Sequence, residues 1–242
     1  MIKYKFIFVI ASSSELTTEN PYYGNGADYI ERYNNFKFFN KMYYDKFKND
    51  IKFFYVEYKE NLENDIIESD DYIYVKGNEM PLAPNFLVKM MKAIGYIHDK
   101  YKYDYIIHSN LSSFWNIPVL LSLYNEIPRN NFFGGHYHMN LFITGTGIFF
   151  SYDMIPFFMK LDTNIYNELD DVAISTYMKN NNIPIFHLEN TLNYRWEHII
   201  SDNYYINENY DNILYFRIKN SSCEIDKAIT KILLNKLYNI TV

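Results

Sequence analysis

Hydrophobic and polar positions follow two alternating patterns along the chain. Short apolar runs of strand length occur at residues 6–11, 51–56, 72–75, 105–108, 142–150 and 183–188. Longer segments repeat their apolar residues at the helical spacing of three and four. They are residues 85–100, a helix predicted to begin near Pro118, and residues 224–237. Strands that alternate with helices are typical of the α/β class, so the pattern predicts a mixed sheet flanked by helices.

We expect these elements to form one domain. Its main part covers residues 1–200, and a loop with a C-terminal helix at 201–242 packs on the same domain. Hydrophobic residues make up 48% of the 242 residues, which excludes a disordered chain. The net charge of -6 gives no general attraction to phosphate backbones, so we expect no nucleic-acid partner.

The first apolar run, residues 6–11, follows Lys3 and Lys5 and so has the layout of a secretory signal. It is shorter than the roughly seven to fifteen apolar residues of such signals, and a buried first strand explains it better. No run approaches the ~18 apolar residues that span a bilayer. A single cysteine, Cys223, cannot form an intramolecular disulfide. These features predict a cytoplasmic protein without a membrane span.

Polar residues follow the predicted strand at 105–108. Ligands of open α/β sheets bind at the carboxyl ends of strands, so a site is expected there. The residues in that position are His108, Ser109, Asn110 and Ser112. The same residues can instead cap the helix predicted near Pro118, and the local sequence leaves both interpretations open.

Two further segments carry candidate chemistry. Gly145, Thr146 and Gly147 interrupt an apolar strand, and glycine there indicates close backbone approach to a ligand or ordinary close packing. Asp170 and Asp171 precede an apolar helical pattern. They either cap that helix or leave one carboxylate facing a cleft as a general base.

Late in the chain, Arg195, Trp196 and His198 combine a cation, a large aromatic ring and a candidate ligand or proton carrier. His136 and His138 are spaced by two, so on a strand they would share a face, but no carboxylate set lies near them in the sequence. No metal site is therefore assigned to the two histidines.

In their order, these segments resemble family thirty-one of the glycosyltransferases, the β-1,3-galactosyltransferase and fringe-like enzymes. The resemblance is carried by residues 5–12, 85–89, 105–116, 144–151 and 169–172. It implies the GT-A fold, a Rossmann-like sheet that binds nucleotide sugars. It also implies a nucleotide-diphosphate sugar, first of all a UDP-sugar, as donor and a glycan or glycoconjugate as acceptor.

The resemblance implies roles for individual residues. Asp171 is the general base that takes the acceptor proton, and Asp170 orients it or caps the helix. The implied donor-binding residues are Ala11, Ser12, Ser13, Arg32, Lys89, His108, Ser109, Asn110, Leu111 and Ser112. The implied acceptor- or sugar-binding residues are Trp115, Tyr137, Gly145, Thr146, Gly147, Arg195 and Trp196.

The chain departs from the family at its metal motif. Where the family has three aspartates, this sequence has Asn110, Leu111 and Ser112. The resemblance implies Mn²⁺ or Mg²⁺, but these ions favour carboxylate oxygens, so we predict weak metal dependence or none. The weak ligand candidates are Asn110, Ser112 and His198. Side-chain cations would then neutralise the leaving diphosphate, and the candidates are Arg195, Lys89 and Arg32.

The expected function is therefore an inverting glycosyltransferase. The alternative is a non-catalytic module for nucleotide sugars or glycans that kept the fold after losing the metal motif. A glycoside hydrolase requires a second acid at a suitable separation, and the sequence shows no evident partner for the Asp170 and Asp171 pair.

Overall fold

The computed structural model of the chain describes residues 3–13, 26–79, 81–188, 193–197, 212–218 and 223–242. The chain divides into two compact units. The first comprises Met1–Ser13, Asn49–Asn110 and Ile127–Asn190, and the second comprises Ser14–Lys48, Leu111–Glu126 and Thr191–Val242.

The described residues form eleven strands and six α-helices. In chain order the strands are β1 (Lys3–Ala11), β2 (Ile51–Lys59), β3 (Ile66–Ser69), β4 (Tyr72–Lys76), β5 (Lys102–Asn110), β6 (Ser113–Trp115), β7 (Phe133–His138), β8 (Phe142–Ser151), β9 (Phe186–His187), β10 (Asn193–Glu197) and β11 (Ile213–Ile218). The helices are α1 (Gly26–Tyr44), α2 (Leu82–Lys100), α3 (Ile117–Leu123), α4 (Ile155–Phe158), α5 (Asp170–Asn180) and α6 (Cys223–Tyr238). Within the described part of the chain, none of the helices combines the length and apolarity that a bilayer crossing requires.

The first unit is built on an eight-stranded sheet with the order β3-β4-β2-β1-β5-β8-β7-β9. Strands β4, β2, β1 and β5 run parallel, whereas β8 is antiparallel to both of its neighbours, β5 and β7. The expectation of a mixed α/β sheet of the Rossmann-like kind is confirmed. Because β2, β1 and β5 are parallel and in register, their carboxyl ends meet at one edge, with Ala11 paired to both Val56 and Asn110.

Strand alternation divides the first unit's apolar residues between the two faces of the sheet. Ile7 and Val9 of β1 belong to a core with the apolar stripe of α2 and with Ala173 and Ile174 of α5. Phe6 and its neighbours on the other face form an aromatic layer. Helix α5 therefore packs on the same face as α2, which brings its first residues toward the sheet.

The second unit has a three-stranded sheet of order β10-β11-β6 and an aromatic core. The ring of Tyr43 lies 4.9 Å from the ring of Tyr238 and nearly parallel to it, and 4.6 Å from the ring of Phe114. The Tyr238 hydroxyl donates to the carbonyl of Trp115 and accepts from the backbone N–H of Ile117 at 2.9 Å. These contacts join β6, α1, α3 and α6 into one core.

Most predicted elements are confirmed, with differences that have physical causes. The strand predicted at 183–188 is reduced to two residues because Pro184 has no N–H for a ladder. Residues 113–115, expected in a polar turn, form β6 by pairing antiparallel with β11. The loop predicted to begin at residue 201 lies outside the described residues as far as residue 211, and the division at residue 200 stays a prediction.

Candidate active site

The carboxyl edge of the first unit's parallel strands carries a group of polar side chains. Ser12 follows β1, Glu57 lies on β2, and His108 and Asn110 end β5. The first residues of α5, Asp170 and Asp171, extend the group. This is the edge at which α/β sheets bind ligands.

The Asp171 carboxylate is held by two backbone N–H groups. Its Oδ1 accepts from Val172 at 2.9 Å, and its Oδ2 accepts from Gly145 of β8 at 3.2 Å. These bonds lower the pKa of Asp171, but burial and then the negative charge of Asp170 raise it more, to about 6. A carboxylate with this pKa is ionised at neutral pH and still basic enough to accept a proton.

The Asp170 carboxylate is bound to a buried histidine. His108 Nε2 lies 2.6 Å from Asp170 Oδ2, and the side chain of His108 has no exposure to solvent. The Asp170 side chain keeps 14% of its surface exposed. The two adjacent aspartates therefore have different partners, Asp170 a side chain and Asp171 backbone amides.

Gly145 marks the place where these side chains converge. A Cβ atom on Gly145 would lie 3.5 Å from Asn110 Nδ2, 3.6 Å from Asp171 Oδ2 and 3.8 Å from Asp170 Oδ2. The space in front of Gly145 is thus bordered by one amide and two carboxylates. Five residues singled out in the sequence, at separations of up to about sixty positions, meet here: His108, Asn110, Gly145, Asp170 and Asp171.

Lys89 of α2 lies at the same edge but is fully buried. Its ammonium donates to the carbonyl of Ser12 at 2.9 Å and forms an ion pair with Glu79. Burial lowers the pKa of Lys89, while the charges of Glu79, Glu57 and Asp170 oppose that shift. Lys89 therefore fixes the end of β1 and does not present a free cation to a ligand.

Sequence reasoning missed the two glutamates of this edge. Glu57 is 2% exposed and accepts from the Ser12 hydroxyl at 2.8 Å. A usable signal was present, because Glu57 is the first charged residue after the apolar run at 51–56, where a strand end was predicted. Glu79 lies in a polar loop and carried no such signal.

Several other residues that the sequence resemblance assigns to donor or acceptor binding have structural roles within the sheet. The Ser109 hydroxyl donates to the carbonyl of Thr146 at 3.0 Å, which ties β5 to β8. Ala11 is buried at the end of β1, and Ser13 is half-buried two residues later. The carbonyl oxygen of Gly147 lies 2.4 Å from the Cβ position of Gly135, so β7 and β8 approach closely there.

Tyr137 belongs to the first unit and has its own neighbours. Its N–H donates to His187 Nδ1 at 3.2 Å, and the Lys179 ammonium lies 5.1 Å from the centroid of its ring. The ring of His136 lies 6.2 Å from that of His138 and 5.9 Å from that of His187. No hydrogen bond joins Tyr137 directly to the carboxylates among the described contacts.

The remaining predicted site residues lie in the second unit, where the described ones make structural contacts. Arg32 Nε lies 3.1 Å from the carboxylate of buried Asp226. The carbonyl of Leu111 accepts from Asn40 at 3.2 Å, and that of Ser112 accepts from the N–H of Ile218 at 2.8 Å.

Four predicted site residues of the second unit have no exposed side chain that the structure describes. Trp115 is fully buried, its ring 4.7 Å from that of Tyr215, so it exposes no face to a ligand. Arg195 and Trp196 lie in β10, of which only the backbone is described. His198 lies outside the described residues.

Residues 110–112, which stand where the glycosyltransferases that the sequence resembles carry their metal motif, do not fit a divalent cation. Asn110 supplies a neutral amide whose nitrogen faces Gly145, Leu111 is apolar, and Ser112 is 9% exposed. In the described portion of the chain, no three or more histidine, cysteine, aspartate or glutamate side chains are grouped to hold a metal. We assign no metal ligand, and the predicted weak need for Mn²⁺ or Mg²⁺ stays a prediction.

No protein-family model matches the sequence, and no curated protein matches it either. The fold and the site together define an α/β protein with paired carboxylates at the carboxyl edge of its sheet. The functional conclusion therefore rests on the geometry around Asp170 and Asp171.

Proposed function

We propose that the chain is an inverting glycosyltransferase that moves a sugar from a nucleotide-diphosphate donor to an acceptor hydroxyl. Asp171 is the general base in this proposal. It takes the acceptor proton while the acceptor oxygen forms a bond to the anomeric carbon and the bond from that carbon to the diphosphate breaks. Base assistance of this kind contributes roughly 10²–10⁴-fold to a rate.

The observation that carries the proposal is the state of the Asp171 carboxylate. Burial and the neighbouring charge of Asp170 raise its pKa to about 6, while the N–H of Gly145 fixes its orientation. A structural helix cap has no need of a raised pKa, because ionisation strengthens its interaction with the helix N-terminus. Perturbed carboxylates beside a ligand-binding edge are typical of catalytic sites.

The site around Gly145 suits a hydroxyl acceptor. In this proposal the acceptor hydroxyl reaches Asp171 Oδ2 beside Gly145, where a Cβ atom would lie 3.6 Å from that oxygen and 3.5 Å from the Asn110 amide nitrogen. The nucleotide would lie against the ends of β1 and β5, as in other open α/β sheets. A UDP-sugar is the donor that the sequence resemblance favours.

The test compares Asp171→Asn with a matched carboxylate variant. Asp162 is an exposed aspartate of the same unit that accepts from the N–H of Asn164 at 2.9 Å, so Asp162→Asn makes the same chemical change away from the site. With a panel of UDP-sugars, we expect Asp171→Asn to lower transfer or donor hydrolysis by about 10²–10⁴-fold. Near-wild-type rates in a folded Asp171→Asn protein would show that the assigned base is wrong.

The second candidate function is a non-catalytic module that binds nucleotide sugars. The observation in its favour is that the described site offers no free side-chain cation and no carboxylate set for a metal to neutralise a leaving diphosphate. Lys89 is paired with Glu79, and residues 110–112 supply no carboxylate for a bridging metal. In a thermal-shift screen of UDP-sugars with and without Mn²⁺, a bound donor raises the melting temperature in either case. Stabilisation without any release of sugar from the bound donor supports the binding module, whereas turnover supports the enzyme.

A further inference from the structure

The contact between His108 and Asp170 has the geometry of a strong hydrogen bond. The 2.6 Å separation is short for a nitrogen and oxygen pair, which is typical when one partner is charged. His108 comes from β5 and Asp170 from α5, so the bond joins the sheet to the helix that carries the carboxylates. His108 has no exposed surface, and the ring of Phe86 stands edge-on to it at 6.4 Å.

The second nitrogen of His108 indicates which proton the ring carries. Nδ1 is buried and has no hydrogen-bond partner among the described residues. A neutral ring with its proton on Nε2 donates to Asp170 and leaves Nδ1 as an unprotonated nitrogen. A doubly protonated ring would bury an N–H donor without an acceptor, which is unfavourable. The geometry therefore favours His108 as a neutral donor to an ionised Asp170.

Asp170 and Asp171 are coupled acids with different surroundings. The negative charge of Asp170 raises the pKa of Asp171, so the two carboxylates titrate as a pair. Backbone N–H groups hold Asp171, whereas the side chain of His108 binds Asp170. A hydrogen bond from His108 stabilises the ionised form of Asp170, and the proton that the pair takes up then resides on Asp171.

We propose that His108 is a positioning residue of the proposed reaction: it holds Asp170 as a fixed, ionised carboxylate, so that Asp171 alone exchanges the acceptor proton. This inference rests on the proposed function. His108 does not touch the acceptor, since its ring is fully buried. The titratable groups that face the pair are the neutral ring of His108 from β5 and the ammonium of Lys89 from α2, and Lys89 is itself paired with Glu79.

The proposal requires opposite effects from two substitutions. Removing the hydrogen-bond donor, His108, and removing the negative charge of Asp170 should shift the carboxylate titration in opposite directions. In His108→Leu the Asp170 anion loses its hydrogen-bond donor and is less stable, so the proton moves toward Asp170 and the upper apparent pKa of the pair rises. In Asp170→Asn, Asp171 loses its like-charged neighbour and its pKa falls from about 6, while burial still keeps it above the ordinary value. In His108→Gln, an amide N–H replaces the ring donor, and the titration stays close to that of the wild type.

The experiment is an NMR titration of the protein with ¹³C-labelled aspartate carboxyl groups, between about pH 4 and pH 8. Asp171→Asn assigns the Asp171 signal. The control is His98→Gln, because His98 Nδ1 contacts the Tyr103 hydroxyl at 2.7 Å and Tyr103 lies five residues before His108 on β5, about 16 Å away. That variant should leave the carboxylate titration unchanged.

Opposite shifts in His108→Leu and Asp170→Asn, with His108→Gln close to the wild type, support the proposal. Shifts in the same direction, or an unchanged titration in folded His108→Leu, overturn it. If His108→Leu does not fold, Asp170→Asn and His108→Gln still decide, since a pKa that rises in Asp170→Asn contradicts the charge arrangement. The titration needs no substrate, so its failure overturns this inference alone, whereas transfer that survives Asp171→Asn overturns the proposed function.

Discussion

The stability of the fold should depend on pH through Asp171, and Asp171→Asn should remove that dependence. The folded-state pKa of Asp171 is about 6, against an ordinary value of 3.8. The folded state therefore binds this proton more tightly than the unfolded state does. Between these two pKa values the free energy of unfolding falls as pH rises, because the folded protein must hold a destabilised charge.

The magnitude follows from the two pKa values. Their separation, at about 1.4 kcal/mol for each pH unit, corresponds to ~3 kcal/mol lost once pH exceeds both values. About 2 kcal/mol of this loss falls between pH 4.5 and pH 8, where the protein can be measured conveniently. The substitution also removes one acceptor for the N–H groups of Gly145 and Val172, which costs about 1–3 kcal/mol at every pH.

The cost of the buried Asp171 charge depends on pH, whereas the cost of the lost hydrogen-bond acceptor does not, so measurements at two pH values separate them. Relative to the wild type, Asp171→Asn should be less stable at pH 4.5 and should gain about 2 kcal/mol at pH 8. Urea unfolding at the two pH values measures the difference. Far-UV circular dichroism is the better probe, since both tryptophans, Trp115 and Trp196, belong to the second unit and Asp171 to the first.

The control for this measurement is Asp162→Asn, whose exposed carboxylate should not alter the pH profile. Parallel profiles for Asp171→Asn and the wild type, within about 0.5 kcal/mol, would refute the raised pKa and with it the main support for a base at this position.

Three further predictions concern the site and the sheet. Gly145→Ala should change stability by less than ~1 kcal/mol, since its Cβ meets only ordinary contacts of 3.5 Å or more. If the acceptor approaches Asp171 beside Gly145 as proposed, the added methyl group should lower transfer at least about tenfold, and unchanged transfer would contradict that approach. Gly135→Ala should lower the free energy of unfolding by about 2–4 kcal/mol, because Gly135 has a φ of +156° and its Cβ would lie 2.4 Å from the carbonyl oxygen of Gly147. A urea midpoint equal to that of the wild type would count against this close approach. Sugar transfer should persist in excess chelator, because Asn110 and Ser112 supply no carboxylate for a divalent metal. A loss above ~100-fold that Mn²⁺ restores would show that the reaction needs a metal despite these neutral side chains.

The sequence predicted those elements whose burial leaves a recognisable hydrophobic pattern. Strands β1, β2 and β5 are continuous apolar runs because parallel strands are covered on both faces, and α2 has a clear apolar stripe. The hydrophobic pattern did not predict helix α1, because the aromatic and polar residues of this helix are spread around it without an apolar stripe. Strand β7 was missed because Gly134 and Gly135 replace the apolar residues that mark a strand.

The sequence predicted which residues belong to the site but not how they are arranged in space. The sequence places Asn110, Gly145 and Asp170 at three separate element ends, and only the insertion of β8 beside β5 brings them together. The partnerships of Lys89 with Glu79 and of His108 with Asp170 depend on this tertiary structure. Composition also cannot separate core from ligand-binding aromatics, as the complete burial of Trp115 illustrates.

The structure also bears on whether the aspartate pair caps a helix or serves a site. The residue before α5, Leu169, makes no side-chain cap, and Asp171 accepts the N–H of Val172 in the first turn, so one of its oxygens does perform a capping task. A capping carboxylate alone would have a lowered pKa, because the helix N-terminus favours its ionised form. The opposite shift at Asp171 means that burial and the charge of Asp170 outweigh both N–H bonds. The helix N-terminus thus holds the carboxylate in place, while its surroundings keep it ready to accept a proton.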